Sequence, residues 1–357
     1  MIVLVRFQKI IIEQKTRLLL GFLLLIPGCD NSRTLLVVQG QTMGTNYSVR
    51  IVGDAGQLNY TTIKNVIDSV LVKINRQMST WDPGSEISKF NRWESLESFK
   101  VSKPFFEVVE NALRISNQTN GMFDITVYDL MSLWGFGPNP MMGFPDKNSI
   151  ESVLSYTGFQ NIKCDQDRLI KKNHKTKLDL NSIAKGYGVD NVYRTLKSLG
   201  YNNIFVEIGG EIRLSGTNEK NKTWSIGLEN PPSDVSREQK PFFGIMKNNE
   251  CSVATSANYR NIVDADGMVL GHTINPKTGY PIQTDVLSVT VISETCIIAD
   301  GWATALMAMD YEKGSKIVDD NPDIKAVWVL SNEDEKRMIA LSDGVIIQNA
   351  IYNIKGL

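Results

Sequence analysis

The stretch Asn203-Ile-Phe-Val-Glu-Ile-Gly-Gly-Glu-Ile-Arg-Leu-Ser215 decides the class of fold. Two runs rich in β-branched and aromatic residues, Asn203–Ile208 and Glu211–Ser215, flank Gly209-Gly210, a pair that readily takes up the backbone angles of a tight hairpin turn. Further along the chain, Trp224–Leu228, Val286–Ile292 and Ile324–Leu330 read as strands. Toward the amino terminus, Leu35–Gln39 and Tyr47–Val52 flank a second glycine-containing turn. Helical spacing appears at Ile63, Val66, Ile67, Val70, Leu71, Ile74 and Met78, and again from Pro104 through Leu113, with Gly121 beyond its end. A third helix is expected from about Ile183 to Leu199, and Thr295–Met309 reads as a mostly buried fourth. Strands adjoin strands more often than they alternate with helices. The expected class is therefore α+β, with largely antiparallel sheets and packed helices in one compact unit that could carry two lobes, not a doubly wound parallel sheet.

Composition narrows the function. The chain has 357 residues, 42% hydrophobic and 22% charged, enough for a sizeable core and too apolar for disorder as its main state. Lysine plus arginine number 38 against 39 aspartates and glutamates, so no basic excess exists from which to build a phosphate-tracking surface, and nucleic acid is a poor partner. Two histidines, His174 and His272, and four cysteines without a C-x-x-C pair exclude histidine-rich zinc sites and zinc ribbons. Gly186-Tyr-Gly188 and Gly135-Phe-Gly137 do not extend to G-x-G-x-x-G, so a nicotinamide Rossmann fingerprint is missing, as is a Walker A loop.

Residues 1–28 have the layout of an export signal. Arg6, Lys9, Lys15 and Arg17, against one acidic Glu13, precede an apolar run from Leu18 to Ile26 that is shorter than the ~20 residues a spanning helix needs. Leu-Ile-Pro-Gly-Cys29 resembles a lipobox, which makes Cys29 the expected lipidated terminus of a domain covering 29–357. Asp30 resembles the inner-membrane retention signal of some bacterial lipoproteins. Lipid on Cys29 would hold the protein on the periplasmic face of the inner membrane without a spanning helix. Cys164, Cys251 and Cys296 then remain, enough for one disulfide at most.

Several local patterns could carry chemistry. Asp300 and Thr304 lie four residues apart, so on a helix a carboxylate and a hydroxyl share one face. With backbone carbonyls or ligand phosphates these form the hard-oxygen environment that suits Mg²⁺, although the spacing alone also fits a helical aspartate with an ordinary hydrogen bond. Asp179-Leu-Asn-Ser-Ile-Ala-Lys-Gly-Tyr-Gly188 places Ser182 and Lys185 at a helix start, where exposed N–H groups favour an anion; a plain turn with a surface lysine has the same local pattern. His272 opens the turn-rich stretch to Pro281, and an imidazole suits proton transfer. Gly121-Met-Phe-Asp124, and Trp81 after the end of the first helix, set aromatics and a carboxylate where a planar ligand could stack or where a core could pack.

In order along the chain these blocks resemble the ApbE-type FAD:protein FMN transferases, also described as flavin-trafficking lipoproteins. The resemblance runs from Met43-Gly-Thr45 through Ser79-Thr-Trp81, Phe123-Asp-Ile-Thr126, Asp179 to Tyr187, Glu207-Ile-Gly-Gly210 and His272-Thr-Ile-Asn-Pro276 to Ala299-Asp300 and Thr304-Ala305. It implies FAD in a cleft, with Met43, Trp81, Met122, Phe123, Asp124, Ser182, Lys185 and Ile274 in the blocks that contact the nucleotide. It also implies Mg²⁺ on Asp300, Thr304 and the carbonyl of Ala184, and His272 in the catalytic position. Implied acceptors are exported flavoproteins, among them subunits of membrane redox pumps, which receive FMN on a threonine or serine as AMP departs. Hydrolysis of FAD to FMN and AMP, or storage of FAD without chemistry, would use the same binding blocks.

Overall fold

In the computed structural model, residues 33–355 are described apart from 142, 233–240, 258–261, 266–267, 272 and 332–335, with 262–265 and 268–271 described as backbone only. Residues 1–28, expected to form an export signal, lie outside the described residues together with Cys29 and His272. The chain divides into residues 1–33 and 34–357.

The strands are β1 (Arg33–Thr42), β2 (Thr45–Asp54), β3 (Phe99–Lys100), β4 (Ile162–Asp165), β5 (Arg168–Lys171), β6 (Asn203–Ile208), β7 (Glu211–Ser215), β8 (Trp224–Glu229), β9 (Phe242–Asn248), β10 (Glu250–Ala257), β11 (Ile262–Ala265), β12 (Met268–Gly271), β13 (Val286–Ser293), β14 (Ile324–Ser331), β15 (Arg337–Leu341) and β16 (Asn353–Ile354). The helices are α1 (Tyr60–Met78), α2 (Glu86–Asn91), α3 (Lys103–Gln118), α4 (Tyr128–Leu133), α5 (Lys147–Leu154), α6 (Ala184–Ser198), α7 (Cys296–Met307) and α8 (Tyr311–Asp319). A nine-stranded sheet of order β1-β2-β6-β7-β10-β13-β14-β15-β16 forms the spine. Its described pairings from β2 to β15 are all antiparallel, and the short β15–β16 edge pair is parallel. The expected α+β class holds.

Side-chain alternation gives this sheet two covered faces. On β6, Ile204, Val206 and Ile208 join Ile63, Ile67 and Leu71 of α1 and Val189, Val192 and Leu196 of α6. Phe205, between them, packs on the other face with Trp224 and Ile226 of β8 and Met246 of β9. On β14, Trp328 and Leu330 lie in the core of α3 and α7, whereas Val327 and Val329 meet Leu228 and Phe243 of the β8–β9 hairpin. Helices therefore cover one face and a hairpin the other.

Local chemistry fixes the helix ends. Asn59, Ser102, Asp146 and Asp310 each cap a helix with a side-chain oxygen, and Pro104 occupies the first turn of α3. Ten of the twelve residues of α7 are buried, which is why its sequence is apolar on all sides. Cys164, Cys251 and Cys296 are free thiols, and burial pushes Cys164 up to about 11 and Cys251 up to about 12, which favours the protonated thiol at neutral pH. No helix among the described residues is long and apolar enough to cross a membrane.

Candidate functional site

The first turn of α6 and the buried helix α7 touch backbone to backbone. A Cβ on Gly186 would stand 2.3 Å from the carbonyl oxygen of Cys296 and 2.7 Å from Cβ of Asp300, so only glycine fits. This approach lets the N–H of Gly186 donate to Oδ2 of Asp300 at 2.8 Å. The anion expected at the helix start is thus, in part, the protein's own carboxylate. The reverse exchange occurs one turn later. Asp190 accepts the N–H groups of Cys296 (3.0 Å) and Ile297 (2.9 Å), the opening donors of α7, whose own N-cap residue Thr295 makes no side-chain cap. Arg213 of β7 pairs with the same carboxylate.

Three charges meet beside this contact. Lys185 Nζ donates to Oε1 of Glu211, whose side chain is only 2% exposed, and Oε2 of Glu211 is buried without a hydrogen-bond partner. Burial pushes Glu211 up to about 7, against the opposing pull of Lys185. Burial also raises Asp300, with Lys185 and the Gly186 N–H working the other way. Burial alone would lower Lys185, but the carboxylates of Glu211 and Asp300 outweigh it and hold the ammonium form above its ordinary range.

Thr304 lies one turn beyond Asp300 on α7, with its hydroxyl 3.4 Å from that of Ser256 on β10. Ala184, the first residue of α6, precedes Gly186 by two. Among the described residues no three of His, Cys, Asp and Glu gather as a metal site. The donors available are one carboxylate, one hydroxyl and a backbone carbonyl, all hard oxygens. Such a set fits Mg²⁺ provided that a ligand supplies further oxygens.

The remaining predicted residues are placed by neighbouring turns. Met43 has φ +49° in the β1–β2 turn, and its terminal methyl would stand 3.0 Å from a Cβ on Gly188 of α6. The turn of Gly209 closes on Thr45 and on Asn46, whose carbonyl accepts the Gly209 N–H at 3.0 Å. Met122 and Phe123 are buried, and Phe123 packs beside Gly301 of α7. Asp124 accepts from the N–H (2.8 Å) and hydroxyl (2.6 Å) of Thr126 and from the N–H of Phe159 (2.7 Å), so its oxygens first of all tie two loops together. The Asp179 N–H bonds the carbonyl of Ile125 at 2.7 Å and brings the block holding half-buried Ser182 alongside. Ile274 is buried with Leu130, Leu133 and Trp134, and the Trp134 indole donates to the carbonyl of Gly279 at 2.7 Å. Met122, Asn275, Lys277 and Met309 line a cleft of about 380 Å³. Trp81 is 67% exposed on the turn after α1.

The sequence profile of the ApbE family matches residues 43–328, most of the chain. The chain belongs to the ApbE family. A FAD:protein FMN transferase of Vibrio cholerae is 38% identical over 316 residues, covering 88% of this ApbE-family chain and 93% of the relative. One of Haemophilus influenzae is 34% identical over 83% of this chain and 87% of its own. Among solved structures, the flavin transferase ApbE from Vibrio cholerae superposes with a TM-score of 0.80 at 36% identity, covering 87% of this chain and 98% of that one. The apo flavinyl transferase ApbE of Pseudomonas stutzeri gives 0.78 at 32% identity over 87% and 95% of the two chains.

Three functional candidates escaped the sequence reading. Glu211 reads as the first residue of a strand, Asp190 as a mid-helix polar residue, and Ser256 as one small residue among several in Cys251-Ser-Val-Ala-Thr-Ser-Ala257. Each gains its meaning only from a partner far away in sequence.

Proposed function

We propose that this chain is a Mg²⁺-dependent FAD:protein FMN transferase that moves the FMN half of FAD onto a threonine or serine hydroxyl of an exported flavoprotein and releases AMP. The observation that carries the reading is the α6–α7 contact, in which the Gly186 N–H meets the Asp300 carboxylate beside the Lys185–Glu211 pair, in a chain at least 30% identical to transferases over most of its length.

Mg²⁺ held by Asp300, Thr304 and the carbonyl of Ala184 would offset the negative charge of the pyrophosphate. Lys185, paired with Glu211, stands beside that position, and Gly186 lets α6 approach α7 closely. Met43, Met122, Phe123, Ser182 and Ile274 bind and orient the nucleotide, and Trp81, exposed on its turn, is free to cover the flavin ring. Asp124 holds the loop that presents Phe123. The acceptor hydroxyl attacks the phosphorus on the riboflavin side, the bond to the AMP phosphate breaks, and His272 takes the hydroxyl proton. Lipid on Cys29 keeps the enzyme at the periplasmic face of the inner membrane, where subunits of redox pumps are the class of acceptor within reach.

The test incubates the chain with FAD, Mg²⁺ and an exported flavoprotein domain, and reads flavin fluorescence in a denaturing gel beside AMP release. Fluorescence on the acceptor with matching AMP is the expected result. AMP with free FMN and no labelled protein would replace the transferase by a hydrolase, and bound FAD without AMP would replace it by a carrier.

A further inference from the structure

Glu211 is an odd neighbour for a site that must receive a pyrophosphate. It is buried, its Oε1 takes the Lys185 ammonium, and its Oε2 has no partner. A Cβ on Gly209 would lie 3.4 Å from that oxygen and 2.9 Å from Cγ2 of Thr45, so the glycine turn packs against Thr45 and Glu211 without giving Oε2 a hydrogen bond. Asp190, the other carboxylate beneath, is already matched by Arg213. With both carboxylates ionised, the local sum over Lys185, Glu211 and Asp300 is one net negative charge. A lysine alone there would attract phosphate directly; with Glu211 behind it, the same lysine does not. A buried carboxylate oxygen left unpaired also works against stability, so its presence asks for a role.

We propose that Glu211 makes dinucleotide binding conditional on the divalent cation: by cancelling Lys185 from behind, it leaves Asp300 uncompensated, so the site holds a cation first and admits the pyrophosphate only with it. The inference rests on the reading of the site as one for Mg²⁺ and FAD. Glu211 is on this account a positioning and selectivity residue, not a group in contact with the reacting atoms.

The experiment uses the full chain in detergent at pH 8 and measures FAD affinity by flavin fluorescence anisotropy, in excess Mg²⁺ and again in chelator. For the native chain, chelation is expected to weaken FAD binding by about 100-fold. Glu211→Gln should shrink that ratio to about tenfold or less through tighter binding in chelator, and should weaken binding of Mn²⁺ alone by about tenfold. Glu211→Asp, which restores the charge, should return toward the native ratio. An unchanged ratio in Glu211→Gln, or a native chain that binds FAD equally with and without Mg²⁺, overturns the proposal. A native chain that binds no FAD under any condition overturns the underlying reading instead. If Glu211→Gln fails to fold, the double variant Lys185→Met/Glu211→Gln removes both halves of the pair. Its ratio should fall at least about tenfold below that of Lys185→Met, and equal ratios overturn the proposal.

Discussion

Lys171 ends β5 with 1% of its surface exposed, its ammonium 4.7 Å from the ring centre of Phe90 and no hydrogen-bond partner at Nζ. Burial, reinforced by Lys177, pulls it down to about 8. The unfolded chain keeps its proton to a higher pH than the folded one, so folding is penalised in full below pH 8 and the penalty fades as pH rises from there toward 10.5. The difference corresponds to about 3 kcal/mol. Lys171→Met should raise the urea midpoint at pH 7 and flatten the gain in stability that the native chain shows between pH 7 and 9.5; equal midpoints at pH 7 would show that the cation–ring contact offsets burial. Gly186→Ala belongs to the same scale. Its methyl would collide with the Cys296 carbonyl, costing roughly 1–3 kcal/mol by overpacking, and would push Asp300 out of reach of the Gly186 N–H. A folded variant that loses FAD affinity by circular dichroism and fluorescence is the expected outcome. Reading along the chain singled out Lys185, Asp300 and Thr304 because each belongs to a recognisable local pattern. Glu211 carries no such pattern, since its role exists only where β7 passes Lys185.

At the scale of elements, α6 and α7 exchange carboxylates: Asp300 serves the start of α6 and Asp190 serves the start of α7. Asp190→Asn strips Arg213 of its counter-charge and weakens both opening bonds of α7. A loss of about 3 kcal/mol is expected in denaturant unfolding, together with weaker Mn²⁺ binding because Asp300 rides on the same helix. Stability loss with native metal affinity would mean that α7 keeps its position without the cap. The long elements were legible in sequence. The β6–β7 hairpin agrees with its expected limits to the residue, and α6 and α7 agree within a residue or two, because alternation and helical spacing are strong over such lengths. The six-residue helices α2 and α4 were missed, being too short to show a period. So was β10, a run of mostly small residues without a strong apolar alternation, in which Ala254 packs into the core under the helices and Cys251 and Val253 into the core under β8 and β9.

For the whole molecule, ligand linkage gives a measurement that engages every part of the site at once. FAD at about 100 times its dissociation constant, with Mg²⁺ present, should stabilise the fold by about 2.7 kcal/mol, seen as a rise in the thermal midpoint. Chelating the metal should remove most of that rise, and a midpoint indifferent to both ligands would sever the site from the fold. The α+β class was legible because strands outnumber alternations along the chain. What no local reading supplied was how distant segments return to one place.

The hydrogen bond between Gly186 and Asp300 spans 114 residues and joins two helices that pack against each other. Closing so long a loop is costly in chain entropy, so the contact depends on the strands β6 to β13 that lie between its two ends in sequence. A chain emerging amino terminus first therefore carries Lys185 and Glu211 well before Asp300 exists to complete them. No fragment ending ahead of α7 contains Asp300 or Thr304, so the proposed metal set is incomplete until more than 300 of the 357 residues have been made.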